Sequence, residues 1–293
     1  MNVHLVDGTY ELFRHHFGQP SRLSSTGDEI GATRGVLATV LTMLEGGATH
    51  VGVATDHVVE SFRNELWPGY KTSAGTPPEL LAQFPLVERA LSSMGVRVWP
   101  MVELEADDAL GSAAAVAEAD DRVEQVLLCT PDKDLAQCVR DRRVVQLDRR
   151  ADTIIDEQGV WEKFGVAPRS IPDWLALVGD SADGFPGLAG WGKRSASVVL
   201  AHYGSLDAIP DAVADWEPAV RGAVRGAATL AARLAEQRRD AELFRRLATL
   251  RIEPDVVGTV DELAWAGAGP DFDDICQFVR DPRLAERAAA VSG

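Results

Sequence analysis

Cysteine is scarce in this sequence, and the three that occur follow no pattern of metal ligands. Cys129, Cys138 and Cys276 are odd in number and lie far apart along the chain. A disulfide framework needs paired cysteines, and a structural zinc site needs closely spaced cysteine or histidine ligands. The sequence therefore argues against both and predicts buried, reduced thiols.

No apolar run reaches the roughly 20 residues that a membrane-spanning helix needs. The chain also lacks a basic and apolar leader, because Met1 runs directly into the strand-like segment Asn2–Val6. We therefore expect a protein that makes no contact with membranes and stays in the cytoplasm.

Basic residues are fewer than acidic residues in this chain. The 293 residues include 29 Lys and Arg against 45 Asp and Glu, for a formal net charge of −16. This balance argues against nucleic-acid binding through overall charge. The objection weakens if many acids hold metal, because two divalent ions return about four positive charges locally, and if the basic residues are grouped elsewhere.

Hydrophobic residues make up 46% of the chain, which allows one large core or two modest ones. In the first half, short β-rich apolar runs alternate with helical patterns such as the one over 32–44. The runs predict five strands, at 2–6, 49–55, 96–102, 125–130 and 143–147. This alternation is typical of an α/β fold with a mostly parallel sheet flanked by helices.

Acidic residues follow four of these runs. They are Asp7, Asp56, the group Glu105, Asp107 and Asp108, and the pair Asp132 and Asp134. A single Asp after a strand is most often a turn residue or a helix N-cap. Since four strands share the pattern, and ligands bind at the carboxyl ends of parallel strands, we expect these acids at one edge of the sheet.

These carboxylates repel one another, and each loses several kcal/mol of hydration on burial unless a cation replaces it. Only Lys133 lies beside the acids of 105–134 in the sequence. The group is therefore either solvated or built to hold divalent metal. Oxygen ligands without nearby His or Cys favour Mg²⁺ or Mn²⁺ over zinc.

The second half favours helices joined by glycine-rich turns, including an apolar helix over 171–179, with one further strand predicted at 250–257. The turn Gly187–Ala196 leaves backbone groups accessible to a phosphate or a monovalent cation. Lys193 and Arg194 begin the next helix, where they oppose its dipole unless they bind phosphate. Cations follow at Arg221, Arg225, Arg233, Arg238, Arg239, Arg245 and Arg246. A solvated helix surface is an equally good explanation of those arginines.

Six motifs occur in order along the chain. They are Leu5–Thr9, Phe62–Arg63 with Tyr70–Lys71, Glu105–Asp108, Thr130–Gln137, Leu175–Asp183 and Gly187–Ala196. Together they resemble the bacterial 5′ nuclease family, which includes the N-terminal 5′-3′ exonuclease domain of DNA polymerase I, phage 5′ nucleases and flap endonucleases. The resemblance runs from Leu5 to about Thr249, and without a polymerase region the chain resembles a stand-alone enzyme.

The resemblance implies a PIN-like catalytic domain over 1–165, with a short arch segment around 61–80. It implies a helix-three-turn-helix domain that binds DNA over 166–250, and a C-terminal segment, 251–293, that packs back on the catalytic domain. It also implies K⁺ in the turn Gly187–Ala196, DNA with a 5′ flap, nick or overhang as the partner, and a monomer.

The resemblance assigns roles residue by residue. The implied metal ligands are Asp7, Asp56, Glu105, Asp107, Asp108, Asp132, Asp134, Asp180 and Asp183, with Asp132 shared by two ion sites. Arg63, Tyr70 and Lys71 are implied to position the substrate and stabilise its scissile phosphate. The expected contacts to duplex DNA are Gly190, Gly192, Lys193, Arg194 and Ser195. Arg14 and His16 lie close to Asp7 in sequence and are candidates for contact with the DNA junction, with a structural role as the alternative.

The implied reaction is Mg²⁺- or Mn²⁺-dependent hydrolysis of DNA phosphodiesters at or near 5′ ends and 5′-flap junctions, in replication and repair. Two metal ions would act together and leave a 5′-phosphate. Two departures from the family stand out. Pro131 replaces a glycine, and Thr72–Pro78 lacks the basic residues that the arch often carries, which bears on the balance of exonuclease and endonuclease activity.

Two other functions compete with this interpretation. A PIN-type ribonuclease would share the acidic α/β half but would not need the turn Gly187–Ala196. A non-catalytic, structure-selective DNA-binding paralogue would keep the turn and lose metal ligands, whereas all nine acids are present.

Overall fold

The computed structural model describes residues 1–292. The strands in that range are β1 (Asn2–Asp7), β2 (His50–Asp56), β3 (Arg97–Met101), β4 (Gln125–Cys129), β5 (Val144–Asp148) and β6 (Thr153–Ile155). The first helices are α1 (Gly8–Gly18), α2 (Gly31–Glu45), α3 (Phe62–Leu66), α4 (Pro78–Leu81), α5 (Gln83–Ser93), α6 (Ala106–Glu118), α7 (Glu157–Phe164) and α8 (Ile171–Val178). The others are α9 (Lys193–Tyr203), α10 (Pro218–Ala223), α11 (Ala227–Glu236), α12 (Arg238–Ala248), α13 (Pro254–Val257), α14 (Phe272–Phe278) and α15 (Arg283–Ser292).

The chain divides into two compact units. Unit 1 consists of residues 1–61, residues 73–130, and Arg251 onward to the end of the described range. Unit 2 consists of residues 62–72 and 131–250. The chain therefore passes into unit 2 twice and returns to unit 1 for its last helices.

Unit 1 is built on four parallel strands in the order β3-β2-β1-β4. Val3, Leu5, Val6 and Val53 are fully buried in it, because apolar residues run almost continuously along strands that are covered by helices. Helices α1, α5 and α6 pack against these strands. The predicted α/β class and mostly parallel sheet are confirmed.

The strand register aligns the carboxyl ends of β1, β2 and β3. Asp7 pairs with Ala54, and Asp56 pairs with Met101 on the next strand. Asp7 is also the N-cap of α1, since its side chain accepts the Tyr10 N–H. The sheet therefore positions the first two acids at the ends of neighbouring strands, as the sequence predicts.

Unit 2 is mainly helical, with β5 and β6 as an antiparallel pair. Helix α8 packs on α12 in its centre. The rings of Phe185 and Phe244 stack with their centroids 5.8 Å apart, and Leu175 and Leu247 are buried in the same core. The predicted apolar helix over 171–179 is confirmed as α8, which ends where Gly179 adopts a φ of +82°.

The strand predicted at 250–257 is wrong. Residues 254–257 form the short helix α13, which begins at Pro254. The backbone before α13 donates its hydrogen bonds to side chains and not to a neighbouring strand. The Arg251 N–H donates to Asp108 Oδ1 at 2.8 Å, and the Glu253 N–H donates to Ser112 Oγ at 2.8 Å. Apolar periodicity alone does not reveal such partners.

Within the described residues, every helix is too short or too polar to cross a lipid bilayer.

Candidate metal centre

Three buried carboxylates meet in unit 2. Asp134, Asp180 and Asp183 each present an oxygen, and these oxygens all lie within 4.8 Å of one another. Among the described residues, Asp134 Oδ1 is buried and has no hydrogen-bond partner. Burying a carboxylate oxygen without a partner costs free energy unless a cation binds to it. Because all the donor atoms of this group are oxygens, the group fits a hard divalent ion.

Local backbone structure positions each member of this group. Asp134 begins a 3₁₀ helix, Asp134–Cys138, and its N–H donates to Asp132 Oδ1 at 2.9 Å. Asp180 pairs with Phe185 through two backbone hydrogen bonds of 2.8 and 3.0 Å. This tight loop after α8 holds Asp180 and Asp183 on the same side.

Two lysines pair with the group. Lys133 Nζ lies 2.5 Å from Asp180 Oδ2, and Lys71 Nζ lies 3.2 Å from Asp183 Oδ1. The Lys71 N–H also donates to the Asp183 carbonyl at 2.9 Å, so the backbone of 62–72 is fastened to the acidic loop.

The electrostatics of the group favour a further cation. Burial raises the pKa of Asp134 well above its usual range, and the charges of Asp132, Asp183 and Asp180 raise it further. Burial opposes the charge on Lys133, but the ion pair with Asp180 and the charges of Asp134 and Asp132 outweigh it and raise the pKa of Lys133. Both shifts indicate an excess of negative charge.

In unit 1, hydrogen bonds hold the acids at the strand ends. Asp7 Oδ1 accepts the Tyr10 N–H at 2.8 Å, and its Oδ2 accepts the Thr130 hydroxyl at 3.0 Å. Asp56 Oδ1 accepts the Ala106 N–H at 2.7 Å. Asp7 thus connects β1 to the residue after β4, and Asp56 connects β2 to the start of α6.

The acids of 105–108 form the N-terminus of α6. Glu105 and Asp108 make a capping box, in which the Glu105 N–H donates to Asp108 Oδ2 at 2.9 Å. The Ser61 hydroxyl donates to Glu105 Oε1 at 2.6 Å. Asp108 is fully buried and also accepts the Arg251 N–H, so both of its oxygens serve the fold. Asp107 is half-buried.

Arg63 and Tyr70 lie in the interior of unit 2. The Arg63 side chain is almost fully buried, and its guanidinium donates to the carbonyls of Leu247 at 2.8 Å and Thr249 at 3.2 Å. Tyr70 belongs to the hydrophobic core, with Lys71 Nζ 5.7 Å from its ring centroid. In this structure Arg63 secures the end of α12, and a catalytic role for Arg63 or Tyr70 stays a prediction.

Arg14 and His16 lie on α1 in unit 1. Arg14 pairs with Glu11 and donates to the Thr39 hydroxyl at 3.3 Å. His16 lines a cavity of about 410 Å³ together with Glu29 and Glu79, and its ring packs on Phe17 with centroids 4.9 Å apart. These contacts are structural, and contact with DNA stays a prediction for both residues.

The glycine-rich turn of unit 2 exposes the residues that the sequence proposes for DNA. Gly190, Gly192, Lys193 and Arg194 are exposed, and Ser195 is half-buried. Helix α9 begins at Lys193 with Gly192 as its N-cap. The buried Trp191 packs against Trp216, with ring centroids 6.3 Å apart, which favours packing over base stacking.

The hydroxyl groups that hold the unit 1 acids are not evident from the sequence. Thr130 and Ser61 donate to Asp7 and Glu105, and the Thr9 hydroxyl accepts the Asp56 N–H at 2.8 Å. Their only signal in the sequence is position, since Thr130 directly follows β4 and Thr9 lies two residues after Asp7.

Sequence models of known protein families match most of the chain. The N-terminal resolvase-like domain of 5′-3′ exonuclease matches residues 2–165, and the C-terminal SAM fold of 5′-3′ exonuclease matches residues 166–271.

Individual relatives agree. DNA polymerase I of Pseudomonas aeruginosa is 33% identical over 269 residues, which cover 88% of this chain and 28% of that protein. This chain therefore spans less than a third of the length of that relative. A bacteriophage T5 flap endonuclease, solved with DNA and metal ions, has a TM-score of 0.68 at 18% identity and covers 99% of this chain and 100% of that one. The catalytic core of Rad2 with DNA substrate has a TM-score of 0.62 at 14% identity, covering 98% and 90%.

Sequence identities of 14–18% mean that the two solved structures show only a shared fold. The two family models are stronger evidence, because together they match residues 2–271 without a gap. The chain belongs to the 5′-3′ exonuclease family.

Proposed function

We propose that this protein is a structure-selective 5′ nuclease that hydrolyses DNA phosphodiesters at or near 5′ ends and 5′-flap junctions. The observation that carries the proposal is the group of three buried carboxylates whose oxygens lie within 4.8 Å of one another. Membership of the 5′-3′ exonuclease family supports it, as do two solved structures of similar fold, one with DNA and metal ions and one with DNA substrate.

The group of acids in unit 2 binds divalent metal, with Mg²⁺ or Mn²⁺ as the ion. Carboxylate ligands without His or Cys support this choice. The proposed ligands are Asp132, Asp134, Asp180 and Asp183 in unit 2 and Asp7, Asp56, Glu105, Asp107 and Asp108 in unit 1. When two or more such ions are bound, they supply the Lewis acidity that phosphodiester hydrolysis requires.

The side chains around the acids orient the substrate. Lys71 supplies positive charge to the phosphate oxygens as negative charge builds on them, and its ion pair with Asp183 at 3.2 Å holds it beside the carboxylates. Arg63 and Tyr70 position the segment that carries Lys71, since both are anchored in the interior of unit 2.

DNA binds through phosphate contacts from the exposed turn. Lys193 and Arg194 provide charge, Ser195 a hydroxyl, and Gly190 and Gly192 accessible backbone, with K⁺ as a further occupant of the turn. Such contacts depend little on base sequence and weaken steeply with salt. The protein acts in DNA replication and repair. Its catalytic domain spans 1–165 and its DNA-binding domain spans 166–250, and the second domain also contributes the metal ligands Asp180 and Asp183.

The experiment that tests this function is cleavage of 5′-end-labelled flap, nicked and overhang DNAs in Mg²⁺ or Mn²⁺. Wild type is compared with Asp132→Asn and with Asp121→Asn, a control on an exposed acid. We expect metal-dependent cutting near the junction that Asp132→Asn abolishes and Asp121→Asn retains. RNA of matching shape serves as the competing substrate.

Two outcomes would contradict the proposal. Duplex binding without cutting by wild type would favour a non-catalytic DNA-binding protein, and preferential cutting of the RNA would favour a ribonuclease.

A further inference from the structure

The ammonium group of Lys133 contacts the acidic group of unit 2, Asp134, Asp180 and Asp183. Lys133 Nζ lies 2.5 Å from Asp180 Oδ2, and the Asp180 side chain is only 3% exposed. Asp180 is one of the three acids whose oxygens converge. The positive charge of Lys133 therefore lies against a carboxylate that is also a proposed ligand of the divalent ion.

The three acids differ in how they are neutralised. Asp180 pairs with Lys133 and Asp183 pairs with Lys71, whereas Asp134 Oδ1 has no hydrogen-bond partner among the described residues. Two ammonium groups thus balance part of the negative charge, and one Asp134 oxygen is left without a partner. The side chains of the protein therefore satisfy these acids only in part.

Backbone structure fixes the start of the Lys133 side chain and leaves its end adjustable. Lys133 immediately precedes the 3₁₀ helix Asp134–Cys138, and the hydrogen bond from the Asp134 N–H to Asp132 Oδ1 fixes the turn around it. The side chain is 31% exposed. Its flexible four-carbon stem therefore lets the ammonium move from Asp180 into solvent without any change in the backbone.

We propose that Lys133 is the internal counter-ion of this carboxylate group in the metal-free protein, and that a divalent cation must displace its ammonium from Asp180 in order to bind. This inference rests on the proposed metal site and adds a residue that regulates its occupancy. Lys133 stabilises the empty site and lowers its affinity for metal, because the ammonium competes for Asp180 and repels the incoming cation.

The experiment measures Mn²⁺ binding to the full-length protein without DNA, by the electron paramagnetic resonance signal of free Mn²⁺, together with thermal unfolding. Lys133→Met removes the charge at similar length. Lys163→Met is the matched control, because Lys163 is an exposed lysine of α7. Lys133→Arg keeps the charge and serves as a second variant.

We expect Lys133→Met to bind Mn²⁺ about tenfold more tightly at one site, a conservative value for a unit charge removed from within roughly 4 Å of a divalent ion. Without metal this variant unfolds at a lower temperature than wild type, and saturating Mn²⁺ closes the difference. Lys133→Arg and Lys163→Met stay close to wild type in Mn²⁺ affinity.

Equal Mn²⁺ affinity of Lys133→Met and wild type would overturn the inference and leave the proposed nuclease intact. Weaker binding by Lys133→Met would also overturn it, since Lys133 would then orient Asp180 for the metal. If wild type bound no Mn²⁺, the proposed metal site itself would fail. If Lys133→Met stayed unfolded at saturating Mn²⁺ while Lys133→Arg folded, Lys133 would be a structural residue and not a displaceable counter-ion.

Discussion

At the scale of single residues, hydrogen bonds and ion pairs from specific side chains hold several of the buried acids. Thr130 and Ser61 bond to Asp7 and Glu105 in unit 1, and lysines pair with Asp180 and Asp183 in unit 2. Burial removes hydration from a carboxylate, so these donors partly replace the lost water. The hydroxyl and ammonium groups therefore orient these carboxylates.

Lys71 is the residue for which a catalytic effect is most directly testable. Replacing it by Met removes the charge proposed to stabilise the phosphate, and we expect turnover at saturating DNA to fall about 100-fold. Affinity for DNA, measured with Ca²⁺ in place of Mg²⁺, changes less because other phosphate contacts remain. Lys163→Met controls for the loss of a surface lysine, and near-normal turnover of Lys71→Met would remove Lys71 from the mechanism.

At the scale of elements, the packing of α1 on α2 depends on Gly35. A Cβ added at Gly35 would clash with the ring of the buried His15, so a side chain at this position must displace that ring or α1 itself. Gly222 in α10 has nothing within 4 Å of such a Cβ. The two positions therefore separate the effect of packing from that of helix propensity.

Overpacking in Gly35→Ala should cost about 1–3 kcal/mol. Since alanine gains roughly 1 kcal/mol over glycine within a helix, we expect a net destabilisation of up to about 2 kcal/mol. Gly222→Ala should be neutral or stabilising by up to about 1 kcal/mol. Urea unfolding of both variants measures the difference. A stabilised Gly35→Ala would mean that α1 and α2 pack less tightly than the structure shows.

At the scale of the whole molecule, the segment from Arg251 to the end of the described range completes unit 1. The Trp265 N–H donates to the Thr49 carbonyl at 2.8 Å, and the Trp99 indole donates to the Val257 carbonyl at 3.0 Å. Asp281 accepts from Arg34 Nε at 2.8 Å across a sequence separation of 247 residues. The C-terminal segment is therefore an integral part of unit 1.

Asp281→Asn tests this attachment through its pH dependence. Burial alone would raise the pKa of Asp281, but the hydrogen bonds and charges of Arg34 and Arg283 outweigh it and lower the pKa. The stabilisation is therefore complete above the unfolded pKa of about 3.9 and disappears as pH falls through the lower folded pKa.

We expect Asp281→Asn to lose about 1 kcal/mol of stability at pH 7, a value reduced by the partial exposure of the ion pair, and to lose little near pH 3. Asp274→Asn, on an exposed acid of α14, is the control. Unfolding between pH 3 and pH 7 measures both. A loss that stayed constant with pH would mean that the carboxylate charge plays no part in the attachment.

The sequence by itself determined the class of fold and the ligand chemistry of the proposed metal site. Alternating apolar runs and helices predicted β1 to β5 and the parallel sheet, because strand and helix periodicities are local properties of the chain. The acids after successive strands indicated hard divalent ions, because ligand type follows from side-chain chemistry. These inferences need only neighbours in sequence.

Only the tertiary structure decided which partner each of these residues has. The hydrogen bond of Thr130 to Asp7 spans 123 residues, and that of Arg63 to Leu247 spans 184. The pairing of Lys133 with Asp180 and the hydrogen bonds of the backbone that precedes α13 also depend on distant segments. Local pattern carries no information about contacts that form when distant segments pack together, so charge balance and burial at the site follow from the fold and not from the motif.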